Sequence, residues 1–348
     1  MLKSFLTVAC CPATVVLALA VVSLWNLPAE AQSVPELTSV RVISPQVEDG
    51  PEKKPVVSGV TLSPSGDLAA AVGDDHLLRI YDLRDGRPLC QYPAHTDWVR
   101  ASVFHPDGQV LATAGHDRRI RFWDASSGQL RSGPSEGSSA IRALAYSPDG
   151  RLLAAGGFAA KLQVFDGREG RLLYELDAPG GDMRAVVFSP DGRQLAAAGR
   201  GGQIRIWDLA AGRQSRDLTA TGGRRIHALA YSPDGTRLAS GGEDASIRLW
   251  DPASGRQLAE LPGRRRKVLC LTFCGRDLLA AGGSDNVIRL WDLAAQSERS
   301  RLVGHTGSVA ALAFDFGSGT LISGSFDTTL RTWQLETTNN EVRMTRLE

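Results

Sequence analysis

IHALAYSPDGTRLASGGEDASIRLWD, residues 226–251, is the stretch that decides the fold. Ser232-Pro233-Asp234-Gly235 sits between two apolar runs. Pro fixes φ at the first turn position, Asp suits the second, and Gly accepts a positive φ, so the four residues read as a tight β-hairpin. Strand-length runs at Ile226–Tyr231, Thr236–Ser240, Ser246–Trp250 and, just beyond, Arg256–Leu261 make a unit of four strands.

Working outward, the unit recurs. Aromatic-plus-polar pairs fall at Tyr81-Asp82, Trp123-Asp124, Phe165-Asp166, Trp207-Asp208, Trp250-Asp251, Trp291-Asp292 and Trp333-Gln334, spaced 42, 42, 42, 43, 41 and 42 residues apart. A fixed period of this length is the mark of a repeat architecture. The upstream turn recurs as Ser63-Pro64-Ser65-Gly66, His105-Pro106-Asp107-Gly108, Ser147-Pro148-Asp149-Gly150 and Ser189-Pro190-Asp191-Gly192. It departs in the last two copies, Cys274-Gly275-Arg276-Asp277 and Phe316-Gly317-Ser318-Gly319. Runs such as Leu195-Ala196-Ala197-Ala198 favour helix by propensity, but they are short and glycine-bounded. Repeat context makes them strands packed closely on both faces. The arginine of Ile247-Arg248-Leu249-Trp250 covers the tryptophan with its stem and carries its guanidinium to a polar group, a structural role.

These motifs resemble the WD-repeat β-propellers, an exported bacterial-type member in this case, over roughly Leu37 to Glu336. The resemblance implies an all-β ring of seven four-stranded antiparallel blades about a channel. A ring needs closure, because an open edge strand invites aggregation. Ser39–Ile43 is expected to complete the seventh blade, with Glu341–Leu347 competing for the slot. The family's buried His–Ser/Thr–Asp–Trp network is matched in full by His95, Thr113, Asp117 and Trp123, and again by His305, Ser323, Asp327 and Trp333. The fifth copy keeps Ser240, Asp244 and Trp250 and the sixth Asp285 and Trp291, whereas Ala159 and Gly201 stand at the Asp position of the third and fourth. Repetition of one set in two blades marks it as structural, since an active site is not built twice.

The first residues form a separate segment. Lys3, an apolar run from Phe5 to Trp25 and small residues ending at Ala31 have the order of a secretory signal peptide. The competing reading is an uncleaved signal anchor. The expected division is therefore 1–31 signal, 32–55 linker with the closing strand, 56–336 repeats and 337–348 tail. Export leads to a periplasmic or extracellular protein with no membrane span after cleavage. Cleavage leaves Cys90, Cys270 and Cys274, an odd, scattered set that reads as buried thiols rather than a disulfide framework or metal site.

The chain has 348 residues, 39 Lys plus Arg against 38 Asp plus Glu, and a net charge of +1. Bulk charge argues against a polybasic nucleic-acid binder, so any electrostatic function lies in distribution. No phosphate-binding G-x-x-x-x-G-K-[ST], G-x-S-x-G elbow or H-E-x-x-H occurs. By the resemblance, the residues entering the channel mouth are Ser58, Arg100, Arg142, Arg184, His227, Leu269 and Ala310. Three arginines without a carboxylate make a poor cation site. Matching loop positions add Trp98, Arg225 and Lys267 before the first strands, and His116, Phe158, Arg200, Glu243 and Phe326 before the third. Arg224 and Arg264-Arg265-Arg266 reinforce the same face.

Arginines and aromatics are the usual anchors of protein interfaces. The expectation is a non-enzymatic scaffold that binds a protein partner through an acidic segment, without cofactor, metal or nucleic acid. It acts as a monomer or as part of a larger assembly. The rival is a propeller, possibly an enzyme, that binds an anion or small molecule at the arginine mouth.

Overall fold

The repeat fixes the architecture by forcing small residues between blades. In a computed structural model, which describes residues 36–38, 40–44, 55–211, 213–262, 266–338 and 341–343, the chain forms seven blades of four antiparallel strands, running inner to outer in chain order in blades 1–6. The signal segment 1–31, most of the linker, and Arg264 and Arg265 lie outside the described residues. Blade 5 comprises Ile226–Tyr231, Leu238–Gly242, Ile247–Trp250 and Gln257–Leu261. Its second strand starts later than the sequence suggests. Asp234 accepts hydrogen bonds from the Thr236 N–H and hydroxyl, and Ser232 Oγ accepts one from the Arg237 N–H, so the turn extends through Arg237.

The second strands lie between two neighbouring blades. In Gln194–Gly199, Leu195 and Ala197 pack toward blade 3, and Ala196 and Ala198 toward blade 5. All four are fully buried, and larger side chains would push the blades apart. The tryptophans fill the space that remains: Trp207 packs on blade 3, Trp250 on blade 4 and Trp291 on blade 5. The inner strands touch one another around the ring, and Val309–Asp315 of blade 7 meets Val57–Leu62 of blade 1.

Closure uses the N-terminal strand. Arg41–Ile43 is the outer strand of blade 7, antiparallel to Leu330–Gln334, with Arg41 opposite Thr332. Just upstream, Glu36–Thr38 adds a fifth, parallel strand to blade 6, beside Arg301–Val303. The C-terminal Glu336–Thr338 and Glu341–Arg343 pair with each other instead of entering a blade. Cys90, Cys270 and Cys274 are unbridged, and burial pushes the Cys270 and Cys274 thiols far up.

Candidate functional site

One backbone irregularity, repeated seven times, builds the channel mouth. In every blade the ladder between inner and second strand shifts register across one residue. The residues at those bulges are Ser58, Arg100, Arg142, Arg184, His227, Leu269 and Ala310. A bulge releases its residue from the ladder and re-aims the side chain. All seven are partly exposed, while the inner-strand residues on either side of them are buried. Ser58 donates to the Val99 carbonyl at 2.8 Å, and Leu269 and Ala310 are apolar, so among the bulge residues the arginines stand in blades 2–4 and the histidine in blade 5.

The two loop sets on this face are joined backbone to backbone. The N–H groups of His116, Phe158, Glu243 and Phe326 donate to the carbonyls of Trp98, Ala140, Arg225 and Ser308. The approach is so close that a Cβ on Gly157, which ends a second strand, would lie 1.9 Å from the Ala140 oxygen. Hence Trp98 and His116, 18 residues apart, stack at 5.7 Å between centroids. Phe158 of blade 3 meets His116 edge-on at 6.0 Å. The Arg100 guanidinium lies 4.4 Å above the Trp98 ring, and that of Arg142 5.2 Å above Phe158. Arg100, Trp98, His116, Phe158 and Arg142 thus form one continuous string.

No carboxylate pairs with Arg100 or Arg142 among the described residues. Burial pushes the Arg142 guanidinium down to about 10, and the charges of Arg184 and Arg100 add to this. Burial and Arg184 likewise lower Arg100. Both stay charged at neutral pH. Burial, then Arg100 and Arg142, depresses the His116 imidazole.

Across the mouth the arrangement is opposite, and here the reading of three arginines without a carboxylate is corrected. Asp182 holds Arg184 through two hydrogen bonds, 2.9 and 3.1 Å, and reaches Arg225 at 3.2 Å. Its backbone has a φ of 57°, a left-handed conformation that Asp tolerates better than most residues. Burial alone would raise this carboxyl, but Arg184, with Arg142 and Arg225, holds it below the usual range. Glu243 lies 3.2 Å from Arg225, 3.6 Å from Lys267 and 3.8 Å from His227. Burial, reinforced by Arg184, pushes His227 down to about 4. Asp182 occupies the same offset in its copy as Trp98, Arg225 and Lys267, and that offset was the signal available for it. Arg200, Arg224, Arg266 and Phe326 are exposed and join neither cluster through an ion pair or ring contact among the described residues.

The blade networks leave no free base. Trp123 Nε1 donates to Thr113 Oγ1 at 2.8 Å, Thr113 donates to His95 Nε2 at 2.8 Å, and His95 Nδ1 donates to Asp117 at 2.8 Å. Tryptophan only donates and an ionised carboxylate only accepts, so these are the directions for the tautomer with its proton on Nδ1; Arg121, 2.7 Å from the same nitrogen, then donates to Asp117. The same chain joins Trp333, Ser323, His305 and Asp327 at 2.9, 2.8 and 2.7 Å. Burial would raise Asp117, yet the hydrogen bonds from His95 and Arg121 keep it well below the carboxylate range. In blade 6, Ala281 takes the place of the hydroxyl residue, and Trp291 Nε1 is buried without a hydrogen-bond partner. Arg79, Arg121, Arg248 and Arg289 each reach the aspartate four residues upstream. Among the described residues no group of three His, Cys, Asp or Glu side chains is placed to hold a metal ion.

Comparison with known proteins agrees with this geometry. The family model for the WD domain, G-beta repeat, matches seven times, at residues 45–82, 86–124, 129–166, 170–208, 212–251, 255–292 and 296–334. No curated protein matches the chain. Propellers of this family are commonly protein-interaction scaffolds and are generally without catalysis of their own. Seven matched repeats forming seven blades place the chain in the WD domain, G-beta repeat family.

Proposed function

We propose that the protein is a non-enzymatic interaction scaffold that receives an acidic segment of a protein partner at the mouth of blades 2 and 3. We propose also that it works outside the cytoplasm, after removal of its leader near Ala31. The observation that carries the binding reading is the pair Arg100 and Arg142, two partly buried guanidiniums stacked on exposed aromatic rings, with no carboxylate ion-paired to either among the described residues. Like charges held together are costly until an acceptor arrives. A guanidinium stacked on a ring keeps its in-plane N–H fork free for a carboxylate. Trp98 and Phe158, 44% and 46% exposed, supply apolar surface beside that fork, as interface anchors do.

The test is binding of a synthetic Asp/Glu-rich peptide, together with affinity capture from the envelope fraction, using wild type, R100E/R142E and R184E. Peptide and one specific protein retained by wild type and R184E but lost by R100E/R142E support the reading. Equal retention by wild type and R100E/R142E moves the partner elsewhere on the ring. Retention of a small anion without any peptide replaces the scaffold with a small-anion binder. Terminal sequencing of the exported protein is expected to begin at Gln32, and an intact N-terminus would favour the anchor.

A further inference from the structure

Blade 6 holds an interrupted version of the lock found in blades 2 and 7. In those two blades tryptophan N–H, hydroxyl, imidazole and carboxylate follow one another without a gap. Blade 5 keeps the first step, with Trp250 Nε1 donating to Ser240 Oγ at 2.9 Å. Blade 6 keeps only the two ends. Ala281, opposite Arg289, stands where Ser323, opposite Arg331, carries its hydroxyl. The position of His95 and His305, four residues before the inner strand, falls to Arg264, outside the described residues. Trp291 Nε1 and Asp285 Oδ1 are buried and have no hydrogen-bond partner among the described residues. Both side chains line one cavity of about 30 Å³ between blades 5 and 6, which Ile247, Pro262, Ala281 and Arg289 also line. Trp291 is 4% exposed, so a partner for its N–H has to stand inside the fold.

We propose that this cavity is a hydration site, in which two ordered waters stand in for the lost hydroxyl and imidazole. A buried water takes roughly 10–15 Å³ of such space and needs at least two polar partners, so the cavity admits about two. Trp291 N–H donates to the first water, the first donates to the second, and the second donates to Asp285 Oδ1. An indole only donates and an ionised carboxylate only accepts, which fixes the direction of the chain. One water is too short for it: in blade 2, three hydrogen bonds of 2.8 Å and an imidazole ring lead from Trp123 to Asp117. Arg289 Nη2 already donates to Asp285 Oδ2, which leaves Oδ1 for the water. A hydrogen-bonded oxygen stands about 2.9 Å from its donor, inside the distance of an unbonded contact, so it reaches groups that show no exposed surface. The cost of leaving an indole N–H and a carboxylate oxygen unmet is what holds the pair of waters in place. Blade 6 is thereby locked through exchangeable solvent, whereas blades 2 and 7 are locked by side chains alone.

The experiment counts long-lived internal waters by oxygen-17 magnetic relaxation dispersion in the full folded chain. Wild type is compared with Ala281→Ser and with Arg264→His/Ala281→Ser, beside a high-resolution crystal structure of wild type. The expected result is loss of one long-lived water in A281S, whose new hydroxyl takes the Trp291 proton, and loss of two in the double variant. The crystal is expected to show two oxygens in hydrogen-bond contact, one at Trp291 Nε1 and the other at Asp285 Oδ1. A dry cavity, a side chain filling it, or a single water that meets only one of the two atoms overturns the inference. Equal dispersion in wild type and A281S overturns it in solution. If the double variant does not fold, A281S and the wild-type crystal decide the matter without it.

Discussion

The two halves of the channel mouth are built at the same positions of the same repeat, yet they carry opposite electrostatics. At blades 4–6, Asp182 and Glu243 neutralise Arg184, Arg225 and Lys267. At blades 2 and 3, the matching cations lean on aromatic rings and meet no carboxylate among the described residues. The offset in the repeat decides where a side chain stands, and the neighbouring blade decides what it does there. The first half spends its charge on stability, and the second keeps its charge for a ligand.

The largest effect that would test this contrast is on folding. Asp182 is nearly buried, its side chain 9% exposed, and Arg184 and Arg225 are 22% and 27% exposed. Asp182→Asn keeps a residue that tolerates the left-handed backbone but leaves Arg184 unpaired and Arg225 with Glu243 alone, and is expected to cost about 2 kcal/mol in denaturant unfolding. Arg142→Leu, in the other half, removes a partly buried cation that makes no ion pair among the described residues, and should change stability by less than about 0.5 kcal/mol. Equal costs would erase the distinction.

Next is affinity for an acidic peptide. Arg142→Ala should weaken it about tenfold, about 1.4 kcal/mol, while Arg225→Ala changes it less than about twofold, as titration calorimetry would show. A smaller gain is expected from Asp182→Asn itself. It frees Arg184 and should tighten the same peptide by about two- to fivefold at low salt, an increase that fades as ionic strength rises.

The smallest effect is on pH dependence. His227 is held near 4 in the fold, below the ordinary value of 6.5. Its neutral form contributes stability that is complete above pH 6.5 and is lost as pH falls toward 4. His116 is depressed too, and its contribution has the same sign. H227Q should remove the His227 part of the acid-side loss and leave the His116 part, as unfolding curves at stepped pH would show. An unchanged slope in H227Q would mean that the paired half carries none of it.

Much of this was legible in the sequence because the repeat is nearly unbroken. The period of 42 residues and the Ser-Pro-Asp-Gly turns specify four strands per copy, and the strand Ser39–Ile43 announces closure of the seventh blade. The offset also collected Trp98, Arg100 and His116. It could not show that Trp98 and His116 stack, since that depends on a backbone hydrogen bond between two loops. Asp182 escaped notice for a related reason: its partners are Arg184, two residues on, and Arg225 of the next blade. Pairing across blades is set by the ring, and a single copy does not contain it. Glu36–Thr38 was equally hidden, because three residues are too few for a strand period and the parallel pairing follows from where the chain passes blade 6.

The closing strand also dictates a time order. Arg41–Ile43 is among the first described parts of the chain to be made, but its pairing partner, Leu330–Gln334, is among the last. Until synthesis reaches that point, blade 7 lacks its outer strand and residues 41–43 have no pairing partner. Blades 1 to 5 are built from contacts within one or two repeats, whereas sealing the ring demands the pairing of residue 41 with residue 332. That one long-range pairing turns a row of neighbouring sheets into a closed ring. A chain lacking residues 36–43 would fold its middle, fray at the seam, and offer two bare sheet edges to its neighbours.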